Sequence, residues 1–113
     1  MLSWYIFIME GNLSFSILFK KYRLRAEFNS LSDFGRELAS EGYFYEDSIF
    51  SRWQKGDRIP GSRKLLITIV KMFIRRGSIN SLKEANIFIE SAGQGYITDA
   101  ELCDLNLFKK EDL

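Results

Sequence analysis

The 113-residue sequence predicts an all-α protein, a compact bundle of four to six helices. Apolar residues recur along most of the chain at the three- and four-residue spacing that marks one face of a helix. Proline occurs only at position 60, so helices can extend on both sides of a single break. No stretch alternates convincingly between apolar and polar residues, and the aromatic run 43–45 is too short to form a sheet.

The first two helices are expected before residue 43. The first spans about 14–27, with basic residues in its C-terminal half, where they complement the helix dipole. The second begins with Ser32 as its N-cap and ends at Gly42. Gly35, in the middle of this helix, lowers helix stability by up to about 1 kcal/mol relative to alanine. A glycine at such a position predicts close approach of another helix. The buried stripe expected on the first helix is Phe15, Leu18, Phe19 and Tyr22.

Further helices are expected on both sides of the proline. The third spans about 46–55 and stops at Gly56. The fourth runs from Ser62 to about Arg76, with Gly77 as its stop. Two capping boxes predict two more helix starts, Ser81 with Glu84 and Thr98 with Glu101.

The charge is distributed unevenly along the chain. Residues 1–76 contain 13 Lys and Arg against 8 Asp and Glu, a net charge of +5. Residues 77–113 contain 3 and 7, a net charge of −4. A basic body is typical of a protein whose partner is a polyanion.

We expect three segments: an apolar N-terminal extension, 1–12; a domain, 13–77; and an acidic helical extension, 78–113. The apolar run in the first segment falls short of the ~20 residues that span a bilayer. It also lacks the basic region and cleavage site of a signal peptide. We therefore expect a cytoplasmic protein with no membrane partner, whose start could be Met9 instead of Met1.

The composition argues against catalysis. Histidine is absent, which removes the commonest general base and the commonest zinc ligand. The sequence has no glycine-rich phosphate loop. Its one cysteine, Cys103, excludes an internal disulfide and is expected as a small buried residue. We expect no enzymatic activity, no metal or other cofactor and no small-molecule substrate.

The third helix separates into two faces at about 100° per residue. Its apolar face, with Ile49, Phe50 and Trp53, must pack inward. The opposite polar face suits a DNA major groove, which is about 12 Å wide and admits one helix. The candidate DNA-binding residues on this helix and after it are Ser48, Ser51, Arg52, Lys55, Arg58 and Lys64.

These residues suggest different contacts. Arg52 could bind a guanine bidentately or hold a phosphate, whereas Lys55 and Arg58 are better placed for phosphates. The serines suit either contact. Lys64 could begin a phosphate-binding track on the fourth helix that continues through Lys71 and Arg75.

The segment from Phe50 to Pro60, FSRWQKGDRIP, resembles XRE-type (Cro/C1 repressor-like) helix-turn-helix proteins. The segment 31–39 is similar to the family's first motif helix, and 82–98 to a helical extension of some members. The resemblance implies a lambda-repressor-like core over 13–77 with the recognition helix at about 46–55. It also implies a transcriptional regulator that binds double-stranded DNA as a homodimer. The stretch 42–53 is longer than the family's usual turn plus helix.

A second function remains open, a protein-interaction module on the same scaffold that has lost DNA binding. Glu46 and Asp47 favour it, since they lie where a recognition helix would enter the groove and would repel phosphates, although one could accept from cytosine N4. The aromatic residues 43–45 would then form the contact patch. Alternatively, these rings fasten the lengthened turn to the core.

Overall fold

The computed structural model describes residues 14–105, which form six helices and no strand. The predicted all-α class is confirmed. None of these helices has the length and apolar character needed to cross a membrane. The extension 1–12 and residues 106–113 lie outside the described part of the chain. The helices are α1 (Phe15–Arg25), α2 (Leu31–Ser40), α3 (Asp47–Lys55), α4 (Arg63–Arg75), α5 (Leu82–Ser91) and α6 (Asp99–Leu105).

One aromatic core joins five of the helices. All four residues of the predicted α1 stripe are buried. Phe34 of α2 lies edge-to-face against Phe19 and Phe50, with ring centroids 5.1 and 5.2 Å apart. Phe88 of α5 contacts Phe73 of α4 at 5.7 Å. Such pairs contribute about 0.5–1.5 kcal/mol beyond the area they bury. Helix α5 therefore completes the core formed by the preceding helices.

The start of α2 corrects one prediction. Ser30, not Ser32, is the N-cap, and its hydroxyl accepts a hydrogen bond from the Asp33 amide at 3.0 Å. The helix begins at Leu31, whose side chain packs against the core. This start places Ser32 in the first turn, where its hydroxyl donates to Asp47 instead.

Gly35 lies directly against the side chain of Phe50 from α3. A Cβ atom at this position would lie only 2.8 Å from Cε2 of Phe50. The close approach predicted from this glycine is confirmed. It brings α3 directly against α2 and buries Phe50 between them.

Cys103 is exposed, so the prediction of a buried cysteine was wrong. Helix α6 is short, and its neighbouring residues Glu101 and Leu102 are only half-buried. The next residue lies about 100° further around the helix, which turns the thiol away from the protein.

Candidate nucleic-acid interface

Helix α3 is held to the core by aromatic rings. Trp53 is buried, and its ring lies 5.2 Å from Phe50, 5.8 Å from Phe19 and 6.4 Å from Phe15. Gly56 ends the helix at φ +86°, in the left-handed region that favours glycine. These contacts fix which face of α3 points inward.

A buried arginine provides a second attachment, to α1. Arg23 donates to the Gln54 side-chain oxygen at 3.2 Å and to the Phe28 carbonyl at 2.6 Å. Burial lowers the pKa of the Arg23 guanidinium from its ordinary value, although arginine stays charged in proteins. The sequence did not predict this contact, because Arg23 and Gln54 lie 31 residues apart and no local pattern connects them.

A third attachment joins the first turns of α2 and α3. The Ser32 hydroxyl donates to the Asp47 carboxylate at 2.6 Å. One of the two acids at the start of α3 is therefore bound within the protein. Glu46, the N-cap residue, is exposed, and its side chain makes no capping hydrogen bond.

The polar face of α3 is open to solvent. Ser48, Arg52 and Lys55 are exposed and follow one another at i, i+4 and i+7, so they form one stripe along the helix. Ser51 lies beside this stripe and is half-buried. We call these four residues the α3 stripe. No other described part of the protein covers its three exposed members.

The other two candidate residues follow α3. Arg58 is exposed in the loop, whose shape depends on the Arg52 carbonyl accepting from the amides of Asp57 and Arg58 at 3.0 and 3.4 Å. Lys64 is exposed in the first turn of α4. Among the side chains that the structure describes, residues 14–103, those of Arg52, Lys55, Arg58 and Lys64 make no ion pair or hydrogen bond.

The proposed continuation along α4 is only partly available. Lys71 is half-buried, and Arg75 forms an ion pair with Glu41 at 3.1 Å. The C-terminal end of α2 brings this carboxylate within reach of α4. Of the three track residues, Lys64 alone is both exposed and without a partner among the described residues.

The three aromatic residues between α2 and α3 differ in how much of each ring is covered. Tyr43 packs against the core, and the Tyr45 ring lies 6.4 Å from Phe50 and 6.3 Å from Trp53. Phe44, between them, is 80% exposed. Both tyrosines thus contact the core side of the turn, although Tyr45 is itself 44% exposed, whereas Phe44 projects into solvent. Three consecutive aromatic residues look alike in the sequence, so the different exposure of each ring was not predicted.

Several characteristic residues of the segment that resembles the XRE-type family have a role in packing or in backbone conformation. Trp53 is buried, Gly56 is left-handed and Pro60 is buried. These roles would hold whether or not the domain binds DNA, so the family assignment remains a prediction. Comparisons of the chain with protein-family models, with curated proteins and with solved structures found no match.

Proposed function

We propose that this protein is a sequence-specific regulator of transcription that binds double-stranded DNA through α3. The observation that carries the proposal is the α3 stripe, an exposed set of hydrogen-bonding side chains on a helix whose opposite face is anchored in the core. A helix that reads a major groove needs donors on its outer face and a rigid attachment behind them.

The position of each side chain on or after α3 suggests which part of the DNA it would contact. N-terminal residues of a recognition helix usually reach the base edges, which makes Ser48 and Ser51 candidate base contacts. Arg52 lies in the last turn of α3 and is a candidate because its guanidinium can pair with a base edge. Arg52 could donate bidentately to O6 and N7 of a guanine. Lys55 and Arg58, at the helix end and in the loop, would bind phosphates. Lys64 would add a phosphate contact from α4.

The acids near α3 oppose this function to a limited extent. Asp47 is bound by Ser32, so its carboxylate is directed toward α2. Glu46 and Asp57 are exposed and would repel phosphates. Asp47 is exposed as well and keeps its negative charge, so four unpaired cations around α3 stand against three carboxylates. The local excess of one positive charge supports a polyanion as the partner.

A homodimer would double the small footprint of one α3 helix. Two copies would place their recognition helices in successive major grooves about 34 Å apart. We therefore expect a two-fold symmetric operator and a cytoplasmic protein with access to DNA.

The test begins with selection of bound duplexes from random DNA, followed by affinity measurements at increasing salt. Each neutralised phosphate releases counterions, and the slope of log K against log salt is about −0.9 per phosphate contact. The three phosphate contacts proposed for each protomer, from Lys55, Arg58 and Lys64, predict a slope of about −2.7 for each protomer. Absence of duplex binding at low salt would contradict the proposal.

A second candidate function, a protein-interaction module, is favoured by the exposed Phe44 ring. Aromatic residues often anchor protein interfaces. On this alternative, the protein would capture a partner through Phe44 and would show no duplex affinity even at low salt.

A further inference from the structure

We propose that Gln54 binds a phosphate of the DNA backbone through its side-chain amide nitrogen, and that the buried Arg23 orients this amide. The inference depends on the proposed function, since the phosphate belongs to the DNA that α3 would bind. It adds a neutral side chain to an interface otherwise described by its hydroxyl groups and positive charges.

Arg23 is a buried cation without an acidic partner. Only 5% of this residue is exposed, and its hydrogen bonds go to two neutral oxygen atoms, the Phe28 carbonyl and Oε1 of Gln54. None of the ion pairs among the described side chains includes it. Burial of a charge is costly unless an opposite charge lies nearby. Within the described part of the chain, no opposite charge pairs with Arg23, so an external anion would stabilise it.

The contact with Arg23 fixes the orientation of the Gln54 amide. An arginine can only donate hydrogen bonds, so the amide oxygen faces Arg23 and the amide nitrogen is directed elsewhere. Among the described side chains, no nitrogen or oxygen is both buried and without a hydrogen-bond partner. The Gln54 nitrogen has no partner among the described residues, so it must be in contact with solvent. Gln54 therefore presents hydrogen-bond donors to a partner outside the protein.

The position of Gln54 places these donors at the edge of the α3 stripe. Residues three apart are neighbours on a helix, so Gln54 lies beside Ser51. Its hydrogen bond to Arg23 places it on the side of α3 that faces α1. A helix in the major groove is flanked on both sides by the sugar-phosphate backbones. A donor at the side of α3 is therefore suited to a phosphate.

The chemistry of the pair also favours a phosphate over a base. A phosphate oxygen only accepts hydrogen bonds, which matches the donors that Gln54 presents. A glutamine that reads adenine needs its oxygen as well as its nitrogen, and the Gln54 oxygen is already bound by Arg23. A charged donor on the amide oxygen strengthens the hydrogen bonds that the amide nitrogen donates. The phosphate would in turn supply the negative charge that Arg23 lacks.

The decisive experiment replaces single phosphates of a selected duplex by neutral methylphosphonates and measures the affinity of the wild-type protein and two variants. The wild-type protein should lose about tenfold in affinity at the phosphate that Gln54 contacts, because the hydrogen bond loses its charged acceptor. In Gln54→Met, which has no donor, this loss should vanish. In Gln54→Glu the sign should reverse, because the carboxylate is repelled by the charged phosphate but not by the neutral analogue.

Gln54→Glu keeps an acceptor for Arg23, so it should remain folded even if Gln54→Met does not. Gln94→Glu is the matched control, since it makes the same change at a half-buried glutamine that follows α5. Its response to each methylphosphonate should equal that of the wild-type protein. Arg23→Met should also remove the loss at the Gln54 phosphate, and Arg23→Lys, which keeps the positive charge, should restore part of it.

The outcomes separate this inference from the proposed function. If the wild-type protein binds selected duplexes with steep salt dependence but no phosphate distinguishes it from Gln54→Glu, the Gln54 contact is refuted while the proposed function stands. If Arg23→Met folds and responds as the wild-type protein does, Arg23 does not orient the amide. If no duplex is bound at low salt, both proposals are refuted.

Discussion

The basic side chains around α3 differ from the arginines at the two ends of α4. Arg63 binds Glu101 through two hydrogen bonds of 2.7 and 2.8 Å and also donates to the carbonyls of Gly95 and Tyr96. At the other end of α4, Arg76 pairs with Glu37 at 3.3 Å. Around α3, Arg52 has no such partner among the described side chains of residues 14–103.

This difference shows that a basic side chain is available to a partner only where no carboxylate of the same protein lies within ion-pair distance. Arg63 and Lys64 are adjacent in sequence, yet one connects α4 to α6 and the other is exposed. The net charge of +1 does not reveal which basic side chains are paired and which are not. Arg63, Arg75 and Arg76 all have a carboxylate partner, whereas the four basic side chains of α3, its following loop and the first turn of α4 that carries Lys64 have none in the described part of the chain.

The largest expected effect comes from removing the anchor that fixes the outward face of α3. Trp53→Ala should lower the free energy of unfolding by about 3–5 kcal/mol, because it leaves a cavity in the aromatic core. Urea unfolding would measure this loss, with Trp53→Phe as a control expected to retain much of the stability. A change below about 1 kcal/mol would mean that the indole is not an anchor of α3.

Arg52→Ala should leave stability nearly unchanged but weaken binding to a selected duplex by about 1–3 kcal/mol. The difference in affinity between the wild-type protein and the variant should vanish when the base pair that Arg52 contacts is changed, because a bidentate contact discriminates at a single position. Fluorescence anisotropy on matched duplexes would measure it. Arg36→Ala is the control, since that exposed arginine lines a different cleft with Arg76. Unchanged binding in Arg52→Ala would remove this residue from the base contacts.

The ion pair between Arg63 and Glu101 should make stability depend on acidity. Hydrogen bonds from Arg63 lower the pKa of Glu101 from 4.5 to about 2. The stabilisation is therefore complete above pH 4.5 and is lost as the pH falls toward about 2. We expect about 1 kcal/mol, because both side chains remain partly in water. Unfolding measured across this range should show a weaker pH dependence in Glu101→Gln.

The control for that measurement is Glu90→Gln, which alters an exposed carboxylate that has no ion pair in the described part of the chain. It should leave the pH dependence intact. An equal change in both variants would show that the pair contributes nothing specific.

The smallest effect is expected at Lys64. Lys64→Ala should weaken binding to all duplexes alike and reduce the magnitude of the salt slope by about 1, because one phosphate contact is lost. Titrations at several salt concentrations would measure it, beside Lys83→Ala, which removes an exposed lysine from α5. A loss confined to one DNA sequence would assign Lys64 to a base contact instead.

Much of the fold followed from local patterns, whereas parts of the candidate site did not. Helical spacing predicted the buried stripe of α1, and Gly35 predicted the close approach of α3. The choice of Ser30 as N-cap and the exposure of Cys103 were not predicted. Both depend on where a helix meets its neighbours, which a local pattern does not contain.

Local patterns in the sequence are sufficient to place the helices to within a few residues, to identify their buried faces and to show that α3 carries hydrogen-bond donors on its polar face. The partners of the polar and charged side chains are visible only in the tertiary structure. Ser32 donates to Asp47, Arg23 donates to Gln54, and Arg63 forms an ion pair with Glu101. Helical periodicity acts over three or four residues, so it is visible in sequence. These polar contacts join residues 15 to 38 positions apart, and packing alone brings them together.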